Sequence, residues 1–208
     1  MTASASPTFS VRHVQLVRAL FAAVAALMIT FSPDHSAAVG LSVFSGFALA
    51  TGLVLALAAW LVARPGWRWP YVLLAAFSFL AGMAGGIPAW RSTPLFFVLL
   101  IAWGALTGLV ELIAGIRARK AAQRGEPVVD GARDHLLVGV LGLLLAVALL
   151  LVPMQYAWTY SIEDAGDFIL TGITLAVGIF GAYAAIVAVL LGIAGFSPRP
   201  ATEHGGTA

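Results

Sequence analysis

Six runs of apolar residues alternate along the chain with short breaks carrying proline, glycine or charge. Each run is about 18 to 27 residues long, and an α-helix needs roughly 20 to cross the hydrocarbon core of a bilayer. The pattern therefore predicts six spanning helices, over residues 14–31, 37–63, 70–87, 95–120, 135–152 and 168–194. Ser32-Pro33-Asp34-His35 ends the first, and Arg64-Pro65-Gly66 separates the second from the third. Proline and glycine at these points forbid a continuous helix. The segment after the fifth, MQYAWTYSIEDAGD, is aromatic first and acidic second and is expected to be a loop.

The fourth run, LFFVLLIAWGALTGLVELIAGIRARK, organises the rest. It closes on Arg117, Arg119 and Lys120, and a cationic cluster straight after an apolar run marks a cytoplasmic end. Glu111 breaks the apolar pattern. Gly104, Gly108 and Gly115 fall on the same helical face as Glu111, taking ~100° per residue. Small residues allow close approach of a neighbouring helix, so this face is expected to meet protein. Gly82-x-x-x-Gly86 and Gly104-x-x-x-Gly108 are read as packing the third helix on the fourth, with dimerisation as the alternative.

An internal repeat follows from the same pattern. The first, third and fifth helices end at Pro33, Pro88 and Pro153. The second, fourth and sixth each carry an aromatic five residues before a small residue: Phe47 and Gly52, Trp103 and Gly108, Tyr183 and Ala188. Thr51-Gly52-Leu53-Val54 recurs as Thr107-Gly108-Leu109-Val110, 56 residues later. The expected fold is all-α: a polytopic integral membrane protein of six transmembrane helices, built as three helical hairpins. They span about 11–64, 69–120 and 133–196 of a single membrane domain covering 1–208. Residues 1–10 are expected to be disordered, and 197–208 form a polar tail. The third hairpin carries the longest connection.

Composition agrees. Of 208 residues 61% are hydrophobic and 10% charged, against about 25% charged in soluble domains. With no cysteine, disulfides and thiolate chemistry are excluded. The net charge of +2 forms no basic patch interleaved with aromatics, so nucleic acid is not an expected partner. With both termini in the cytoplasm, Arg12, Arg18, Arg64, Arg68, Arg117, Arg119, Lys120, Arg124, Arg133 and Arg199 lie inside. Only Arg91 is left outside, as the positive-inside rule asks. The first run is too long for a signal peptide's apolar region and is read as an uncleaved helix. Trp60, Trp67, Trp69, Trp90, Tyr156, Trp158 and Tyr160 cluster near helix ends like an interfacial belt, while Trp103 lies deeper.

The hairpin pattern, the short proline-terminated helices, and above all IAWGALTGLVELIAGIRARK and FGAYAAIVAVLLGIAG resemble the HdeD-type acid-resistance membrane proteins. The resemblance covers residues 11–196. It implies a six-helix protein of the bacterial inner (plasma) membrane, connected with survival in acid.

Candidate chemistry is sparse. An ionisable residue inside a span costs ~2–3 kcal/mol at its centre, so it needs a partner or a function. Glu111 is expected to form a structural tie with Arg18 or His135, both near the same helix ends. The alternative is a proton- or ion-binding carboxylate. Asp34, His35, Glu163, Asp164 and Asp167 lie in outer loops. They read as a solvated acidic surface, with a pH response as the functional alternative. No His pair has metal-ligand spacing, and neither a nucleophile elbow nor a phosphate-binding loop occurs. No metal, cofactor or enzymatic activity is expected. The lipid bilayer, other membrane proteins or a second copy are the expected partners. The functional reading is a non-enzymatic stress-related membrane protein acting as an accessory subunit. A small-solute or proton transporter and a lipid-modifying membrane enzyme are the alternatives.

Overall fold

A computed structural model describes residues 9–126, 131–163 and 166–197. Residues 1–8, 127–130, 164–165 and 198–208 lie outside the described residues. So do most of the segment 1–10 expected to be disordered, most of the polar tail, and the readings placed on Asp164 and Arg199. Of that N-terminal segment Phe9 and Ser10 are described, and Ser10 is the N-cap of the first helix.

Among the described residues six α-helices form: α1 (Val11–Phe31), α2 (Ala37–Leu61), α3 (Trp69–Gly86), α4 (Thr93–Gln123), α5 (Ala132–Leu151) and α6 (Gly172–Phe196). All six are long and apolar enough to cross a membrane, with mean hydropathy between 1.4 and 2.4 in their best windows. The three even helices start at hydroxyl caps: Ser36 accepts from Val39 N, Ser92 from Leu95 N and Thr171 from Thr174 N. Each satisfies a backbone donor that the helix itself leaves free. At ~1.5 Å per residue, the 31 residues of α4 reach about 46 Å. That exceeds a ~30 Å hydrocarbon core, so its last turns, with Arg119 and Lys120, protrude. Outward-facing Leu20, Leu27, Leu57, Leu80, Val98, Leu144, Ile186 and Val189 are exposed. In water such a surface would aggregate; in a bilayer it faces acyl chains.

The fifth connection is not an irregular loop. Strands β1 (Ala157–Ile162) and β2 (Gly166–Thr171) form an antiparallel hairpin, with Tyr160 opposite Phe168 and Trp158 opposite Leu170. Gly166, at φ 95°, takes the left-handed backbone at the turn. Helix α6 therefore begins at Gly172, later than the apolar run suggested. The end of the molecule bearing this hairpin is called the hairpin face here. The opposite end is the basic face, where the element order places Arg12, Arg64, Arg68, Arg117, Arg119, Lys120, Arg124 and Arg133. Arg91 is on the hairpin face and donates to Gly85 O and Gly86 O at the end of α3.

The six helices close into a ring. Its tightest pairings are α2 with α3, α4 with α5, and α6 with α1, while partners within a hairpin pack less extensively. Equivalent positions make equivalent contacts. A Cβ added to Gly52 would meet Ala75 O and Phe79; one on Gly108 would meet Gly139 O and Leu143. Likewise Gly115 is closed by Leu136 and Gly195 by Leu16, each 2.5 Å from such a Cβ. This corrects the expectation that Gly82, Gly86, Gly104 and Gly108 pack α3 on α4. Gly82 and Gly86 face Leu49 and Ser45 of α2. Gly104, Gly108 and Gly115 face α5, whose own Gly139 and Gly142 let the two backbones meet. Glycine opposite glycine permits the closest approach, so the small faces pair across hairpins.

Candidate functional site

The even helices line the ring's axis, and their repeat-equivalent residues form layers along it. Toward the hairpin face are Phe44, Leu100 and Phe180, and one turn further in Phe47, Trp103 and Tyr183. These rings pack edge to face, with Phe44–Trp103 centroids 5.3 Å apart and Trp103–Tyr183 6.0 Å apart. The depth of Trp103 is thereby explained: it is 4% exposed, and its indole Nε1 donates to Ser78 Oγ at 3.2 Å. Toward the basic face come Thr51, Thr107 and Val187, and then Leu55, Glu111 and Leu191. Glu111 thus occupies a place that the other two copies fill with leucine.

The odd helices complete the column. Arg18 shares its layer with Leu74 and Val138, and Gln15 shares one with Tyr71 and His135. Glu111 is 2% exposed, and both its carboxylate oxygens are occupied. Arg18 Nη2 donates to Oε1 at 2.9 Å, and His135 Nδ1 bonds to Oε2. The guanidinium neutralises the carboxylate, and two hydrogen bonds replace its lost hydration. His135 also stands edge-on to the Tyr71 ring, centroids 5.8 Å apart. Beside it, Gln15 Nε2 donates to Asp134 Oδ2. Above Glu111, Thr107 Oγ1 donates to Trp103 O at 2.6 Å.

Two small cavities flank this cluster, each of about 20 Å³. Thr51, Thr107, Glu111 and Tyr183 line one; Gln15, Tyr71, Asp134 and His135 line the other; Arg18 lines both. The arrangement can hold a charge pair in a low-dielectric column and pass a proton between Glu111 and His135. Neither cavity has room for a solute larger than water.

The remaining sequence candidates do not converge. Asp34 accepts from Ser36 N and Ser36 Oγ, shaping the turn into α2. His35 is half-buried in that turn. Asp167 accepts from Ser161 Oγ across the hairpin at 2.5 Å, and Glu163 is exposed at its tip. Among the described residues no group of three His, Asp or Glu side chains could hold a metal ion. Gln15 and Asp134 were not singled out from the sequence, and Thr51 and Tyr183 were noted only as markers of the repeat, not as site residues. The spacing that relates Thr51 to Thr107 would also have placed Gln15 and Tyr71 at one level.

Fold and site define a class: a polytopic membrane protein whose six helices ring an axis that is polar toward its basic end and aromatic toward the other. No family model, curated protein or solved structure matches the chain.

Proposed function

We propose that the chain is a non-enzymatic protein of the bacterial inner membrane, of the HdeD type, with both termini cytoplasmic. In this reading it acts in acid or envelope stress as an accessory body packed against another membrane protein. One observation carries it: an apolar groove of about 250 Å³ between α1 and α2, lined by Phe21, Val24, Ala25 and Met28 against Ser42, Val43, Gly46, Phe47 and Ala50. The occupant we assign is an apolar transmembrane helix of the partner. Gly46 has no packing role inside the chain, since a Cβ there would meet nothing within 4 Å. The other two hairpins fill the place of Ala50 with Leu106 and Ile186. In lipid, helices associate where small residues let backbones come close, because burial from water supplies no drive. The water-sized axial cavities weigh against solute transport.

The groove is the place to test this. A photo-crosslinking residue at Ser42, introduced in cells, should capture one discrete membrane partner. Gly46→Leu with Ala50→Leu should fold normally, lose that adduct, and fail to restore acid survival to a deletion strain. Full rescue by the filled variant would overturn the reading. So would solute flux through vesicles holding the purified protein.

A further inference from the structure

Two buried oxygens in the axial column have no hydrogen-bond partner among the described residues: Gln15 Oε1 and Thr51 Oγ1. Both residues are 4% exposed. Each lines its own cavity of about 20 Å³, and the cavities sit on either side of the Arg18–Glu111 pair. A cavity of roughly 10–15 Å³ holds one water, provided polar partners surround it. Here the partners are present. The upper cavity offers Thr51, Thr107, Glu111 and Tyr183; the lower offers Gln15, Asp134 and His135. Buried polar groups are almost always satisfied, and a trapped water is the ordinary means when protein atoms are out of reach.

We infer that each cavity binds one water, and that these waters make a hydrated half-column through which the His135–Glu111 pair exchanges protons with the basic face alone. The path is explicit. Asp134 is half-buried at the rim of the lower cavity. The lower water gives a proton to His135 Nε2, the ring nitrogen not bonded to Glu111, and the hydroxide so formed is re-protonated from basic-face solvent. His135 Nδ1 is bonded to Glu111 Oε2, so once Nε2 takes up the added proton, the proton already on the Nδ1–Oε2 bond shifts toward the carboxylate. The upper water extends the network to Thr51 and stops there.

Beyond it the rings of Phe44, Phe47, Trp103 and Phe180 interlock at 5.3–5.9 Å, and the one indole N–H among them is committed to Ser78. The groups facing the pair from each element are Arg18 on α1, Tyr71 on α3, Asp134 on α5 and Tyr183 on α6. Helix α2 contributes Thr51, which does not titrate. This inference does not depend on the groove between α1 and α2 having a partner.

The full chain, with isotopes on threonine, histidine and phenylalanine, is placed in lipid vesicles with the basic face outward. His13, His35 and His204 are changed to Asn, so that His135 alone reports of the four histidines. In water-edited solid-state NMR, magnetisation should reach the Thr51 and Thr107 methyls several-fold faster than the Phe180 ring. The near-isosteric Thr51→Val should keep the fold and abolish the fast transfer to Thr107. Acidifying the outside buffer should shift the His135 ring nitrogens, and acidifying the lumen alone should leave them still. Transfer to Thr51 as slow as to Phe180 would overturn the water sites. His135 following the lumen, or following neither buffer, would overturn one-sided exchange.

Discussion

Glu111 stands where the internal repeat puts Leu55 and Leu191, and Arg18 stands where it puts Leu74 and Val138. The charge pair is therefore a substitution into a column that is otherwise apolar at that depth. Removing one partner of a buried pair leaves the other uncompensated and costs about 3–5 kcal/mol, whereas replacing both with apolar residues is often neutral. Glu111→Leu alone should therefore lower the thermal unfolding temperature in detergent sharply. Glu111→Leu with Arg18→Leu, which installs the second copy's residue at the Arg18 place, should recover most of the loss. A double variant as unstable as the single would show that the pair does more than neutralise itself. Glu111 was legible from sequence because a charge in an apolar run is conspicuous, and its partners because Arg18 and His135 lie near the same helix ends. Gln15, Thr51 and Asp134 were not, because an amide, a hydroxyl or a helix-terminal acid gains meaning only when three helices bring it to one cavity.

The hairpin is the element that hydrophobic counting misread. Trp158, Tyr160 and Ile162 alternate with Thr159 and Ser161, and that period of two marks a strand. Six residues followed by an acidic turn gave a short signal beside a long apolar run, which absorbed Phe168 to Thr171 into the predicted sixth helix. Trp158, Tyr160, Ile162, Phe168 and Leu170 share one face by register, and the first four are 38–58% exposed. A lone two-stranded hairpin is marginal in water. This one runs from β2 directly into α6 without a linker. Its aromatic face is therefore expected to lie in the headgroup region, where Trp and Tyr are favoured. Phospholipids brominated near the glycerol should quench a large share of the emission that Trp158→Phe removes. Emission from Trp158 that responds only to a water-soluble quencher would place the hairpin in solvent. The glycine stripes belong to the same scale. Their small faces were readable, but which of two flanking helices each one meets was not, since that depends on the glycines of α5 lying opposite.

At the scale of the molecule, three copies explain more than six helices do. The recurrence of Thr-Gly-Leu-Val disclosed the repeat, yet no local signal says that α6 returns to α1 and closes the ring. That closure rests on contacts such as Gly181 against Ile29 and Gly195 against Leu16, separated by most of the chain. The hairpin, by contrast, belongs to the third copy alone; at the same point the second copy has only the short turn around Pro88–Trp90. Among the described residues its main packing against the helices is on α6, so the ring is not expected to depend on it. Replacing residues 157–170 with a short Gly/Ser connection should leave a monodisperse protein whose unfolding temperature is nearly unchanged. A single Gly181→Leu should do the opposite. A Cβ there already lies 2.7 Å from Ile29 Cγ2, and overpacking of this kind costs about 1–3 kcal/mol. If excising fourteen residues destabilised the protein more than adding one side chain at the seam, the hairpin would be a strut of the ring. Stability would then reside in the third connection rather than in the contact between first and last helices.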